Sequence, residues 1–229
     1  MKVLAIGAHP DDIEIFMLGI LQSYKATNDD VVMAIATDGA AGNVLNYSNL
    51  AKVRKLETQN ALKFLGKPYF FNFPDGKLAF VKDANNKIKD YIYSVSPDLI
   101  ITHAPEDYHS DHRTLSSLVK EATGLICPIL YADTLMGVNF VPEFYVDITP
   151  YFSNKTEAIL KHKSQSPQKF LEGTKLLNRF RSAQCNAPEG HYAEAYRQEK
   201  IFPFTDIRSL LPPNPGINKF YKSSLQSMI

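Results

Sequence analysis

The chain is short of sulfur, of net charge and of long apolar runs, and each shortage closes off a class of function. Its two cysteines, Cys127 and Cys185, are isolated and fit no metal-ligand spacing. They read as reduced thiols of a cytosolic protein, not as a disulfide framework. Lys and Arg number 25 against 24 Asp and Glu, a net charge of +1, so nothing draws the chain to nucleic acid or to an anionic membrane. No apolar stretch approaches the ~20 residues that span a bilayer. Met1-Lys2 runs straight into a strand pattern, with no cationic leader before an apolar core. The expectation is a cytoplasmic protein without a transmembrane segment. At 229 residues it can be one large domain or two small ones.

What the chain does have is concentrated in Ala8-His9-Pro10-Asp11-Asp12-Ile13-Glu14. An apolar run, Val3 to Gly7, precedes it. A helical pattern follows, with Ile13, Phe16, Met17, Ile20, Leu21 and Tyr24 on one face. His9 and both Asp residues therefore fall in a strand-to-helix turn, where open α/β sheets bind ligands. Two carboxylates would repel phosphate, which argues against a dinucleotide. A His and an Asp three apart can instead ligate one metal ion and leave the other Asp free to move protons. The plainer reading is helix capping by Asp beside a solvated His.

Further along, strands and helices alternate. Strand patterns occupy 30–37, 68–73, 97–103 and 128–132, and helical patterns 48–65, 81–95 and 113–125. This predicts a Rossmann-like, doubly wound, mostly parallel sheet with helices on both faces. Gly39–Asn43 reads as a loop. The helix at 48–65, with Ser48 as its cap, has an inward stripe of Leu50, Val53, Arg54, Glu57, Ala61 and Phe64. Its two charges form either an i,i+3 ion pair or a route by which Arg54 reaches the site. Beyond 132 the pattern loosens: a late strand at 144–148, helices at 151–162 and 167–181, a short helix near 191–199, and a Pro-rich extended stretch at 202–216. With no linker or repeat, residues 1–229 read as one domain, a core at 1–132 and a cover at 133–229. The tail can close over the pocket or over a subunit interface, so a homo-oligomer is a candidate assembly.

The loop after the fourth strand holds His103, His109 and His112 among Glu106, Asp107 and Asp111. In a sheet of order 3-2-1-4-5 the first and fourth strands are neighbours at the switch point, so their carboxyl-end loops face each other. Two His and one carboxylate, with a fourth position for water, is a catalytic zinc pattern. We assign His9, Asp12 and His112 as ligands and Asp11 as general base. His109 serves as proton donor or oxyanion partner, with Asp111 holding its tautomer and raising its pKa.

The stretches 8–14 and His109-Ser110-Asp111-His112 resemble the two motifs of the LmbE-like, PIG-L-type zinc de-N-acetylases, which act on N-acetylglucosaminyl-phosphatidylinositol and on sugar precursors of mycothiol and bacillithiol. The resemblance extends to Thr37-Asp38-Gly39, to Arg54-Lys55-Leu56-Glu57, to the segment from Lys155 through His162 to Ser164-Gln165, and to Tyr192-Ala193-Glu194. It implies the same roles for His9, Asp11, Asp12, His109 and His112. It also implies substrate contacts at Arg54 and Tyr192, and a packing role for His162. Ala40 stands where the family often has Glu. The expected activity is zinc-dependent removal of acetyl from an N-acetylglucosamine-type sugar conjugate. The rivals are a zinc amidohydrolase acting on another small amide, such as an antibiotic or surface-glycan intermediate, and a non-catalytic metal- or glycan-binding module.

Overall fold

The structure is a computed structural model describing residues 1–42, 45, 47–216 and 218. Asn43, the last residue of the expected loop, and residues 219–229 of the tail lie outside the described residues.

Among the described residues seven strands form one sheet. They are β1 (Lys2–Gly7), β2 (Asp30–Thr37), β3 (Tyr69–Phe73), β4 (Leu99–His103), β5 (Ile129–Ala132), β6 (Phe144–Asp147) and β7 (Ala193–Gln198), in the order β3-β2-β1-β4-β5-β7-β6. The first five are parallel, and β7 and β6 add antiparallel to β5. The predicted order 3-2-1-4-5 is observed. Residues beyond 132, expected only as a cover, also extend the sheet. The short helix expected near 191–199 is instead β7. Its Ala-Glu-Ala-Tyr run is buried on both faces between β5 and β6, so an inner strand position overrides any local helical pattern.

Among the described residues seven α-helices flank the sheet: α1 (Asp12–Phe16), α2 (Leu18–Ala26), α3 (Leu50–Leu62), α4 (Ala84–Val95), α5 (Ser110–Thr123), α6 (Phe152–Ile159) and α7 (Pro167–Gln184). Two apolar clusters, one on each face, carry the burial. α3 starts one turn position later than expected, with Asn49 rather than Ser48 accepting the Lys52 N–H at 3.2 Å.

The first helix, expected as continuous, breaks at Met17, whose φ and ψ are −132° and −9°. The break exposes the amides of Gly19 and Ile20, and the buried Glu194 carboxylate from β7 accepts both at 2.8 Å. Lys155 Nζ at 2.5 Å and the Tyr196 hydroxyl at 2.6 Å complete that carboxylate's shell. A negative charge at a helix N-terminus is favourable, and here it is also paired. Among the described residues no helix is long and apolar enough to cross a membrane.

Candidate active site

The first motif is tied down by its neighbours. The Thr37 N–H donates to the Ala8 carbonyl at 2.8 Å, and the Ala8 N–H lies 3.0 Å from His103 Nε2. The ends of β1, β2 and β4 thus meet at one point. Asp11 takes φ 112°, a left-handed backbone that costs a non-glycine residue ~1–3 kcal/mol. That twist sends the two adjacent carboxylates apart. Asp12 Oδ2 turns back to accept the His9 N–H at 2.6 Å, while Asp11 Oδ2 faces Arg54 Nη2 at 3.1 Å.

The second motif opens α5. Its helical part begins at Ser110, earlier than the Arg113 start predicted, because His109 acts as the cap: its Nδ1 accepts the Asp111 N–H at 3.2 Å. Asp111 and His112 therefore sit on the first turn of the helix. Asp107 Oδ1 accepts the His109 N–H at 2.9 Å and lies 3.1 Å from His112 Nδ1.

These two pieces bring His9 Nδ1, Asp12 Oδ2 and His112 Nε2 into one triangle. Its sides are 3.1 Å between the imidazoles and 3.3 Å from Asp12 Oδ2 to each. Zinc binds nitrogen and oxygen at about 2.0–2.2 Å, so a tetrahedral pair of ligands stands about 3.3 Å apart. The donor set and its spacing fit that ion. Overlapping groups within metal-binding reach are His9–His109–His112, Asp12–His103–His112 and His9–Asp75–Asp111. In the last, Asp111 Oδ2 already accepts the Gly76 N–H at 2.7 Å. In the second, His103 Nε2 is taken either by the Ala8 N–H or by Asp12 Oδ2, each at 3.0 Å.

The sequence profile described as PIG-L, GlcNAc-PI de-N-acetylase, matches residues 4–123, just over half of the chain and both motifs. The chain belongs to this family. Diacetylchitobiose deacetylase of Thermococcus kodakarensis is 27% identical to it over 219 residues, covering 86% of this chain and 82% of the relative. Among solved structures, N,N'-diacetylchitobiose deacetylase from Pyrococcus horikoshii superposes with a TM-score of 0.75 at 24% identity, over 89% of this chain and 87% of that one. GalB, the 4-carboxy-2-hydroxymuconate hydratase from Pseudomonas putida KT2440, also reaches 0.75, at 20% identity over 89% and 97%. At such identities the solved structures establish the fold, and a hydratase among them shows that the fold serves more than one chemistry.

Charge around the triangle is tightly balanced. Burial opposes a charged His112, but Asp12 and Asp107 outweigh it and push its pKa up to about 9. Burial likewise opposes a charged His9, and Asp111, Asp12 and Asp75 together raise it well above its ordinary value. Asp12 is held well below the carboxylate range, because the imidazoles of His112 and His103 overcome the cost of its burial. The field at the triangle thus favours positive charge, which a divalent cation would supply while displacing protons. Burial raises Asp11, with Arg54 pulling the other way. His109 is lowered by burial and by the neighbouring His9 and His112.

Two expected roles change, those of Asp111 and Tyr192, and one of the two alternatives for Arg54 drops out. Asp111 does not clasp the His109 ring. Its carboxylate takes the Gly76 and Leu78 amides at 2.7 and 3.2 Å and approaches His9 Nε2 at 3.3 Å, so it orients His9. The reason is the helix: the Asp111 side chain leaves the first turn toward the β3 loop, and only its N–H reaches His109. The Arg54–Glu57 ion pair is absent. Arg54 instead donates to the Pro10 and Gly39 carbonyls at 2.6 and 3.0 Å and faces Asp11. Gly39, at φ +67°, is needed there, since a Cβ would come within 2.8 Å of Arg54 Nη1. Tyr192 is off the cavity wall, stacked on Phe152 with centroids 3.6 Å apart. His162 packs as expected, 2.8 Å from Glu14 through Nε2.

Sequence reasoning placed His103 and Asp107 in the cluster but gave them no role, and it missed Asp75. His103 stacks on His112, with centroids 3.8 Å apart. Asp75 stands 3.1 Å from His9 Nε2. Asp75 lay in Pro74-Asp75-Gly76, which reads as a plain turn after a strand two places from β1.

Proposed function

We propose that this chain, working as one cytoplasmic domain over residues 1–229, is a zinc-dependent hydrolase that removes acetyl from an N-acetylglucosamine-type sugar. The reading rests on one observation above others: three donor atoms at ligand spacing with a spare, differently aimed carboxylate, Asp11, beside them. A binding module has no use for that strained extra carboxylate. His9, Asp12 and His112 would hold the zinc, which when bound polarises the acetyl carbonyl and lowers the pKa of water.

The chain's own groups supply the rest. Asp11 takes the proton of the attacking water on its carboxylate, whose direction Arg54 fixes. With Nδ1 engaged by the Asp111 amide, His109 carries its proton on Nε2. From there it hydrogen-bonds the developing oxyanion, and the proton that Asp11 took from the water passes to the departing amine. Asp111 and Asp75 hold His9 from behind, and Asp107 faces His112 in the same way. Phe16 lies edge-on to His103 and His112, 5.7 and 6.0 Å between centroids, and keeps that side dry. The surrounding cavity is about 310 Å³, at the small end for ligand pockets. It suits one sugar ring with the remainder of the conjugate outside.

The test is acetate release from N-acetylglucosamine conjugates by the purified protein, before and after chelation and after zinc is restored. Release that chelator abolishes and zinc returns is expected. No release across the panel would overturn the substrate, and release indifferent to chelator would overturn the metal.

A further inference from the structure

The active site accounts for only one of the two charges on the inward stripe of α3. Arg54 serves Asp11. Glu57, nearly one turn on, reaches away from it, and its carboxylate accepts the Ser164 N–H at 3.0 Å and the Ser164 hydroxyl at 2.6 Å. This pins the short turn Lys163–Gln165 just ahead of α7. From that turn Gln165 extends into the wall of the active-site cavity, beside Arg54 and Gly42.

The Gln165 amide is oriented by what it touches. Its Nε2 donates to the Gly42 carbonyl at 3.2 Å and to the Ser164 carbonyl at 2.9 Å. Carbonyls only accept, so the nitrogen must face them and the amide oxygen is turned elsewhere. Oε1 sits close over Gly42, 2.9 Å from where a Cβ there would stand, and no donor among the described residues reaches it. Further along the same segment Phe170 lines the cavity, together with Leu135. A fixed acceptor next to apolar surface matches a sugar ring, which offers hydroxyl donors at its edge and C–H groups on its faces.

We propose that Gln165 is a substrate-binding residue whose Oε1 accepts a hydrogen bond from a hydroxyl of the sugar ring, and that Glu57 holds it in place through Ser164. This rests on the sugar-amide reading above. One neutral hydrogen bond is worth about 3–10-fold in affinity. Gln165→Leu should therefore raise KM for an N-acetylglucosamine conjugate by about that factor, leaving kcat and zinc content close to those of the parent. Glu57→Gln should raise KM in the same direction. The double variant should be no worse than Gln165→Leu alone, because both changes remove one contact. Unchanged KM in Gln165→Leu, with the parent active on the sugar, would overturn the proposal while leaving the deacetylase reading intact. Additive effects of the two changes would overturn the link through Ser164. A parent inactive on every sugar amide would overturn the deacetylase reading and this one with it.

Discussion

Replacing Arg54 by alanine should cost the protein both stability and turnover. The guanidinium is buried and makes three contacts on two loops: the Pro10 carbonyl at 2.6 Å, the Gly39 carbonyl at 3.0 Å and Asp11 Oδ2 at 3.1 Å. A hydrogen bond from a charged donor contributes ~1.5–3 kcal/mol, so the two carbonyls alone account for ~3 kcal/mol at the low end. Losing the partner of a buried carboxylate adds to this, and water entering from the cavity gives part of it back. We expect a loss of ~3–4 kcal/mol. For a chain of this size each kcal/mol lowers Tm by about 2–4 °C, which puts the drop near ~10 °C. Asp11 would also lose its direction, and misplacing a catalytic group can cost ~100-fold in rate. Zinc content should hold, because Arg54 touches none of the three ligand atoms. Thermal unfolding, acetate release and metal analysis on one preparation measure all three. A Tm within ~2 °C of the parent and normal turnover would refute the reasoning, and would mean that the guanidinium neither knits the turn nor aims Asp11.

Two more outcomes follow from particular contacts. Asp111→Asn should weaken zinc binding by about 10-fold, the low end for an outer partner of a ligating His, because Asp75 still faces His9 Nε2; competition against a chelator of known affinity reads this, and unchanged affinity would return Asp111 to a purely structural role. Glu194→Gln should destabilise the fold by ~3–5 kcal/mol, since it leaves the buried Lys155 ammonium unpaired; urea denaturation measures it, and a loss under ~1 kcal/mol would refute the pairing argument.

Much of this architecture was legible because the physics behind it is local or topological. The alternating strand and helix patterns point to a mostly parallel sheet, and in the order 3-2-1-4-5 that sheet sets His9–Asp12 against His109–His112. What failed to show was decided by tertiary contact. Glu194 looked like part of a short helix because nothing local reveals that the helix after His9 breaks at Met17 and leaves two amides to be capped. Asp75 looked like a turn residue because β3 is not adjacent to β1, and only the sideways reach of its loop brings the carboxylate to His9. Tyr192 was drawn to the substrate by resemblance, whereas the stack on Phe152 fixes it elsewhere. Arg54 shows the reverse: an odd charge on an apolar stripe left two alternatives open, and the contact with Asp11 is the one observed.

The central claim is a division of labour between adjacent carboxylates, Asp12 holding the metal and Asp11 moving the proton. The most direct measurement is zinc content and turnover determined together for Asp11→Asn and Asp12→Asn. The account predicts that Asp11→Asn keeps its zinc and loses ~10²–10⁴-fold in turnover, the worth of a positioned base. Asp12→Asn should bind zinc weakly and recover part of its activity as zinc is added. Loss of metal from Asp11→Asn, with full metal in Asp12→Asn, would contradict the account and exchange the two roles.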